Sequence, residues 1–248
     1  MYILGDIGNS ETKIFLLDKN SRILKRSSFL TKKLNNRSLN IKLKKFTKNI
    51  NEVKKILFCS VVPKSYRLIK KYFSKRTKVR CVEIKNLNLK SLIKIKVNYK
   101  QVGSDRLANA ISLANNKDNF IILDFGTATT FDVVIKKSYM GGVIAPGVKI
   151  SLDTLIDKAS LIPRIDLKKI GNIVGNNTLS SVRSGFFWGY IGLIDNITNL
   201  IMKESKKTFK LVITGGYSNL FKGTLKTKVI HNEDITLKGL IKISKLIK

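Results

Sequence analysis

One local pattern of residues occurs twice in this chain, and it constrains the fold more than any other feature. The pattern is Asp-x-Gly with a threonine four residues after the glycine. The first copy begins at Asp6, and the second begins 118 positions later at Asp124. In each copy an apolar run precedes the carboxylate and another follows the turn, which predicts a strand, a tight turn and a returning strand. A repeat of nearly half of the 248 residues predicts two similar domains.

The second copy, residues 121–134, indicates the chemistry that such a turn supports. A buried strand would fix the Asp124 carboxylate, and Gly126 would let backbone N–H groups approach an anion. The hydroxyl of Thr127 and its neighbours could bind phosphate oxygens. The alternative is an ordinary hairpin, because Asp, Gly and Thr are common turn residues. The repeat favours a phosphate site, with the phosphates of a nucleotide held between the two copies.

The chain length agrees with two domains. Its 248 residues suffice for two units of roughly 100 to 130 residues, each able to close a core. We place the boundary between residues 105 and 106, which gives domains of residues 1–105 and 106–248. The order of strand and helix patterns predicts an α/β fold in which each domain has a mixed sheet flanked by helices.

Hydrophobic periodicity predicts further elements along the chain. Residues 31–51 are expected to form one or two surface helices. Gly185 and Gly189, four positions apart, would let another helix pack closely against the longest helix. In chain order, strands are predicted at 55–62, 79–84, 139–146, 211–214 and 229–231, and helices at 64–74, 148–158, 181–203 and 235–248.

The chain is strongly basic, with 48 Lys and Arg, 16 Asp and Glu and a net charge of +32. Residues 13–100 hold 27 of the basic residues and 3 of the acidic ones. Such a surface attracts nucleic acid without regard to its sequence. No recognition helix and no platform of interleaved aromatic residues accompanies the lysines. We attribute the excess to a composition bias towards Lys, Ile and Asn, and we expect no specific nucleic-acid partner.

The sequence indicates neither export nor membrane insertion. No apolar stretch approaches 18 residues, and the N-terminus lacks the basic and apolar regions of a signal peptide. Cys59 and Cys81 lie in strand-like segments without neighbouring Cys or His, so reduced, buried thiols are expected. We therefore expect a cytoplasmic protein without a membrane partner.

A separate motif, Gly103-Ser104-Asp105-Arg106, begins a predicted helix. It places a carboxylate and a guanidinium in the first helical turn, where the helix dipole also favours anions. The alternative is a capped helix with an acid in its first turn, which is a common arrangement.

Missing motifs narrow the chemistry. The chain contains no Walker loop and no dinucleotide-binding fingerprint. Its single histidine, His231, excludes most Ser-His-Asp and Cys-His schemes. Paired Asp-x-Gly turns with a separate Asp-Arg pair are typical of phosphoryl transfer from ATP, in which one carboxylate positions a metal ion and another accepts the proton of an attacking hydroxyl.

Five motifs together resemble those of the type III pantothenate kinases in order and spacing. They are Asp6-Ile7-Gly8-Asn9-Ser10, Gly103-Ser104-Asp105-Arg106, residues 124–132 (DFGTATTFD), residues 141–147 (GGVIAPG) and Asn177-Thr178. The resemblance covers the chain from end to end. It implies the actin-like (ribonuclease H-like) ATPase fold, with two similar domains around a cleft, and a homodimer.

The same resemblance implies a reaction and its cofactors. The γ-phosphoryl group of ATP would be transferred to the 4'-hydroxyl of pantothenate, which is the first step of coenzyme A biosynthesis. Mg²⁺ and a monovalent cation, K⁺ or NH₄⁺, would be required.

Roles for individual residues follow from the resemblance. Asp105 corresponds to the general base, and Gly103, Ser104, Asp105 and Arg106 to the pantothenate-binding turn. Asp124 corresponds to the monovalent-cation ligand, and Asp6 is a candidate Mg²⁺ ligand. Thr178 corresponds to a substrate contact reached across the dimer, and Tyr99 is a candidate substrate contact. The residues that correspond to ATP contacts are Asp6, Ile7, Gly8, Asn9, Ser10, Glu11, Thr12, Lys13 and Thr127.

Two alternatives remain open at this point. A non-catalytic relative that binds DNA would suit the basic charge, although binding alone would not require Asp6, Asp105, Arg106 and Asp124 together. A kinase of the same fold that phosphorylates another small alcohol would carry the same motifs. The sequence departs from the family in two places: Ser10 stands where threonine is common, and the approach to Gly103 is shorter than usual.

Overall fold

The computed structural model describes residues 1–247, which contain eleven strands and seven α-helices. Short 3₁₀ turns connect some of them. In chain order the elements are β1 (Tyr2–Ile7), β2 (Glu11–Leu17), β3 (Ile23–Leu30), α1 (Asn36–Thr47), β4 (Lys55–Ser60), α2 (Pro63–Ser74), β5 (Cys81–Glu83), β6 (Lys94–Ile95), α3 (Ser104–Leu113), β7 (Asn119–Phe125), β8 (Ala128–Ile135), β9 (Ser138–Pro146), α4 (Val148–Lys158), α5 (Thr178–Ser205), β10 (Lys210–Gly215), α6 (Ser218–Phe221), β11 (Val229–His231) and α7 (Ile235–Ser244).

The chain forms two compact units. The first contains residues 1–114 and the segment from Asp234 onward, and the second contains residues 115–233. The predicted boundary between residues 105 and 106 falls inside α3, which lies wholly in the first unit. α7 returns the chain to that unit by packing on α3: a Cβ on Gly239 would lie 1.9 Å from the carbonyl oxygen of Ala108. The Thr236 hydroxyl also donates a 2.7 Å hydrogen bond to Asn109 Oδ1.

The first unit is built on a sheet with the strand order β3-β2-β1-β4-β5. β1 pairs antiparallel with β2 and parallel with β4. Alternate side chains of these strands, such as Ile3, Ile14 and Phe58, form a buried core with apolar residues of α1 and α2. The buried strands of this unit therefore give fixed positions to the polar turn and the helix start that follow them.

The second unit repeats this arrangement. Its strands pair in the order β9-β8-β7-β10-β11, with β7 antiparallel to β8 and parallel to β10. The outer pairs agree as well, since β2–β3 and β8–β9 are antiparallel while β4–β5 and β10–β11 are parallel. Phe125, Phe187 and Phe221 stack in its buried core. The repeat predicted from the two Asp-x-Gly patterns is thus present in the strand topology.

Element boundaries differ from the predicted ones in a few places. α5 begins at Thr178 rather than 181, because Asn177 accepts a 2.9 Å hydrogen bond from the Ser180 N–H and Ser180 reciprocates in a capping box. α7 ends at Ser244, before the predicted end at 248, which lies outside the described residues. Cys59 and Cys81 are buried and free, as predicted. Within residues 1–247, no helix combines the length and apolar character needed to span a bilayer.

Candidate active site

Asp105 lies in the first turn of α3, two residues after Gly103, which precedes the helix as its N-cap. Its Oδ1 accepts a 2.8 Å hydrogen bond from the backbone N–H of Arg106. A Cβ on Gly103 would lie 2.5 Å from the same oxygen, so the absence of a side chain at Gly103 makes room for the carboxylate. Burial raises the pKa of the Asp105 carboxyl, and the Arg106 N–H and guanidinium oppose part of this effect. Asp105 is therefore a partly desolvated carboxylate with an increased affinity for a proton.

Ser104 fastens this turn to the end of β4. Its hydroxyl accepts a 2.7 Å hydrogen bond from the Ser60 N–H and donates a 2.9 Å bond to the Ser60 carbonyl oxygen. The residue is 1% exposed. The Ser104 side chain is thus occupied by the protein backbone, and its predicted contact with substrate would have to come from its main chain.

Tyr99, the other candidate for a substrate contact in this unit, is also bonded internally. Its hydroxyl donates a 3.0 Å hydrogen bond to the Lys85 carbonyl oxygen. Burial raises the pKa of the phenol, and the nearby negative charge of Glu83 acts in the same direction. The ammonium of Lys85 lies 5.5 Å from the centre of the Tyr99 ring. These contacts hold Tyr99, which lies in the segment that leads into Gly103, against Lys85.

Asp6 occupies the next-to-last position of β1, in parallel register with Cys59 of β4. The Cys59 thiol donates a 3.4 Å hydrogen bond to Asp6 Oδ1. Burial raises the pKa of the thiol well above its ordinary value, and the negative charges of Asp6 and Asp105 raise it further. The thiol therefore remains protonated near neutral pH and can donate its hydrogen bond to Asp6 throughout that range.

The turn after Asp6 is held by two threonines. The Gly8 N–H donates to the Glu11 carbonyl oxygen at 3.0 Å, and the Thr31 hydroxyl donates to the Gly8 carbonyl oxygen at 2.7 Å. The hydroxyls of Thr31 and Thr12 lie 2.9 Å apart in a buried hydrogen bond. Thr12 therefore supports the turn from inside. Sequence reasoning missed Thr31, because nothing in the local pattern signals a bond across 23 residues.

The other predicted ATP contacts of this hairpin differ in exposure. The Ile7 side chain is fully buried in the core, so only its backbone remains for a ligand. Glu11 accepts a hydrogen bond from Ser28 and lies 3.6 Å from the Lys13 ammonium. The exposed residues at and beside the turn are Asn9, Ser10, Glu11 and Lys13.

The second hairpin places Asp124 at the end of β7, beside two glycines. A Cβ on Gly215 would lie 2.6 Å from Asp124 Oδ1, and one on Gly126 would lie 3.8 Å from it. Gly215 has a φ of 90°, a left-handed conformation that glycine adopts without strain. These glycines leave a cradle around the Asp124 carboxylate that side chains would otherwise fill.

Thr127 is exposed in the turn between β7 and β8, and the backbone of Gly147 stabilises this turn. The Gly147 N–H donates a 3.1 Å hydrogen bond to the Thr127 carbonyl oxygen. A Cβ on Gly147 would lie 2.3 Å from this oxygen and 2.6 Å from that of Gly126. The absence of a side chain at Gly147 therefore allows its backbone to approach this turn closely.

The remaining predicted substrate contact, Thr178, is the first residue of α5 and is exposed. His231 is bonded within the second unit, with Nε2 lying 2.9 Å from the Ser218 hydroxyl oxygen. This contact agrees with a structural role for the single histidine.

Cation binding would rest on single carboxylates. The described residues contain no group of three or more His, Cys, Asp or Glu side chains able to hold a metal ion. Mg²⁺ in phosphoryl-transfer sites is commonly held by one or two carboxylates together with water and substrate phosphates, and Asp6 at a hairpin turn fits that mode. The glycine cradle around Asp124 fits a small cation bound by a carboxylate and neighbouring backbone carbonyls.

Solved structures with similar folds include kinases. A putative 2-dehydro-3-deoxygalactonokinase from Sinorhizobium meliloti matches with a TM-score of 0.63 and 9% identity, over 100% of this chain and 99% of that one. At this identity the likeness concerns the fold alone. It confirms the predicted actin-like α/β fold.

Sequence comparisons are more specific. The family model described as type III pantothenate kinase matches residues 2–200. A type III pantothenate kinase from Pelagibacter ubique (strain HTCC1062) is 64% identical over the full length of both chains. Another, from Sulfurihydrogenibium sp. (strain YO3AOP1), is 34% identical over 99% of this chain and 100% of that protein. From its motifs, its fold and these relatives, the chain belongs to the type III pantothenate kinase family.

Proposed function

We propose that this protein transfers the γ-phosphoryl group of ATP to the 4'-hydroxyl of pantothenate, giving 4'-phosphopantothenate and ADP in the first step of coenzyme A biosynthesis. Membership of the kinase family supports the reaction class. The observation that carries the catalytic role is the partly desolvated carboxylate of Asp105, fixed at a helix start beside the Arg106 guanidinium. As a kinase that uses ATP, it would work in the cytoplasm.

Asp105 is the proposed general base. Its carboxylate accepts the proton of the 4'-hydroxyl while the hydroxyl oxygen forms a bond to the γ-phosphorus, and the bond from that phosphorus to the β,γ-bridging oxygen breaks. The raised pKa of Asp105 increases its affinity for the proton, which favours this transfer. The neighbouring Arg106 supplies a positive charge suited to the pantothenate carboxylate. Gly103 and Ser104 complete the proposed substrate-binding turn, the latter through its backbone.

ATP contacts are assigned separately in each unit. In the first, the exposed turn residues Asn9 and Ser10 offer polar groups to phosphates, and the Lys13 ammonium offers a positive charge. In the second, Thr127 offers its hydroxyl at the β7–β8 turn. Asp6 would hold Mg²⁺ and Asp124 would hold K⁺ or NH₄⁺. Such cations neutralise phosphate charge during phosphoryl transfer.

A homodimer is part of this proposal. A groove of about 300 Å³ lies between α4 and α5, and it is lined by Leu155, Val182, Gly185, Phe186, Gly189, Tyr190 and Leu193. A Cβ on Gly185 or Gly189 would meet no atom of another described element within 4 Å, so no helix within residues 1–247 uses the close approach that these glycines allow. Leu161 is 91% exposed in the following connection. An apolar surface of this kind supports pairing with a second copy. Sedimentation velocity should give a dimer for the wild type and a monomer for Gly189→Arg.

The decisive assay is pantothenate-dependent release of ADP by the purified protein with Mg²⁺ and either K⁺ or NH₄⁺. Release that requires pantothenate and yields 4'-phosphopantothenate supports the proposal. If neither cation permits release, the proposed activity is wrong. A panel of other small alcohols then separates pantothenate from the substrates of kinases that share the fold.

A further inference from the structure

An open groove of about 830 Å³ lies between β3 and α1 in the first unit. Its lining residues are Lys25, Ser27, Ile41, Lys42, Lys44, Lys45, Thr47 and Lys48. Five of these eight residues are lysines, and neither β3 nor α1 contains an acidic residue. None of them belongs to the candidate active site. The groove is therefore a concentrated positive surface separate from the proposed chemistry.

Two of the lysines have a structural explanation. The Lys25 ammonium donates a 2.8 Å hydrogen bond to the Lys45 carbonyl oxygen, near the C-terminal end of α1. The Lys45 ammonium donates in return to the Arg26 carbonyl oxygen at 3.1 Å. The first bond satisfies a carbonyl group at the end of α1, where a positive charge also complements the helix dipole, and the second ties α1 to β3. They also fix the separation of the strand and the helix, which keeps the groove open.

The other three lysines have no such explanation. Lys42, Lys44 and Lys48 are exposed, and their ammonium groups form no hydrogen bond or ion pair with any of the described residues. Lys44 and Lys48 lie four residues apart at the end of α1, about 6 Å along the helix axis. Their mutual repulsion, without a carboxylate in the groove lining, is relieved when an anion with several charges binds.

We propose that this groove binds the phosphate backbone of single-stranded nucleic acid without regard to base sequence. Five lysines that line one strand-helix groove match the charge of a chain of phosphates. The lining contains no aromatic side chain, so bases are not recognised by stacking. Ile41 is its single apolar residue, which leaves too little apolar surface for insertion into a membrane.

The test must separate this groove from the overall charge of +32. The groove variant is Lys42→Gln, Lys44→Gln and Lys48→Gln combined. The matched control is Lys203→Gln, Lys206→Gln and Lys207→Gln combined, since these lysines are also exposed and the same three charges are removed. Binding of a fluorescein-labelled oligothymidylate of about 20 nucleotides is measured by anisotropy at several salt concentrations.

We expect the wild type and the control variant to bind the oligonucleotide with affinities within about twofold of each other. The groove variant should bind at least about tenfold more weakly at low salt, and the slope of log K against log salt should fall by about 2, as the loss of three phosphate contacts requires. An oligoadenylate of equal length should bind as well as the oligothymidylate.

Three results would overturn the proposal: equal weakening in both variants, a strong base preference, or binding of anionic phosphatidylserine vesicles with none of the oligonucleotide. ADP release by the groove variant should remain at the wild-type rate, which also reports that it is folded. Ile41→Glu, at a residue that is 67% exposed, places a carboxylate in the groove and should weaken binding independently of the lysines.

Discussion

The Tyr139 hydroxyl donates a 2.6 Å hydrogen bond to Oδ1 of Asp132, and both side chains are almost fully buried. Asp132 is the last residue of the motif that begins at Asp124, but it lies on β8 as an interior carboxylate rather than at the turn. A buried carboxyl group requires hydrogen-bond partners, so this bond joins β8 and β9 within the second unit.

Tyr139→Phe tests this structural role. It removes one donor from a buried carboxylate, and we expect the free energy of unfolding to fall by about 1.5 to 3 kcal/mol in urea denaturation. Tyr66→Phe is a suitable comparison, because the Tyr66 hydroxyl donates to the neutral carbonyl of Cys81, at 3.2 Å. Its cost should be about 0.5 to 1.5 kcal/mol. An equal or larger loss for Tyr66→Phe would contradict the special importance of the Tyr139 pair.

Asp105→Asn should lower kcat by about 10²- to 10⁴-fold, because the amide cannot accept the proton of the attacking hydroxyl. The far-ultraviolet circular dichroism should not change. In the wild type, kcat/KM should fall as the pH is lowered through the raised pKa of Asp105, since the ionised form is the active one. A variant that retains more than a tenth of the wild-type kcat would exclude Asp105 as the base.

The same substitution should stabilise the fold. Because burial raises the pKa of Asp105 in the folded protein, the folded state binds a proton more readily than the unfolded state. The free energy of unfolding therefore falls as the pH rises from the ordinary pKa of an aspartate towards the raised pKa of Asp105 in the folded protein. The loss persists at higher pH. Asp105→Asn removes this penalty, so its unfolding midpoint in urea should exceed that of the wild type at neutral pH. The difference between the two unfolding midpoints should shrink in acid, where the protonated Asp105 of the wild type is neutral like the asparagine of the variant.

The Cys59 thiol should affect the reaction through its hydrogen bond to Asp6. Cys59→Ala removes the donor to Asp6 Oδ1 and should raise the KM for ATP or the Mg²⁺ concentration needed for half-maximal rate, with a smaller change in kcat. Cys59→Ser keeps a donor of similar size at this position and should recover most of the loss. If serine and alanine behave alike, the hydrogen bond to Asp6 has no functional role.

Gly147 and Gly216 provide a matched pair of glycine substitutions. Gly147→Ala would place a methyl group 2.3 Å from the Thr127 carbonyl oxygen, so the β7–β8 turn must move. We expect lower stability and a higher KM for ATP. A Cβ on Gly216 would meet no neighbouring atom of the described residues within 4 Å. Gly216→Ala should therefore change neither the KM for ATP nor the equilibrium constant for unfolding by more than about twofold. Equal effects at both positions would mean that the Thr127 turn is not the cause.

The sequence predicted those features that depend on neighbouring residues. Alternation and periodicity located most strands and helices, and the two Asp-x-Gly turns predicted the repeated topology. The supports of the candidate site come instead from distant parts of the chain. Thr31 reaches Gly8, Cys59 reaches Asp6 through strand register, and Ser104 reaches Ser60. No local pattern encodes such contacts, because they form only when the sheet order is set.

The boundary between the units illustrates the same limit. We expected a boundary between residues 105 and 106, whereas the packing of Gly239 on Ala108 joins α3 to a helix more than 100 residues later. Roles assigned by family resemblance, such as those of Tyr99 and Thr178, remain predictions.

The return of α7 to the first unit has a consequence for the order of folding during synthesis. The second unit is one continuous segment, residues 115–233, and it can close its core as soon as it has left the ribosome. The first unit begins earlier but needs Ile235, Leu240 and Ile243 of α7, all fully buried, which are made after the second unit. The part of the chain synthesised first is therefore the last to be completed, and its sheet must wait with an unfilled apolar face while the later unit folds.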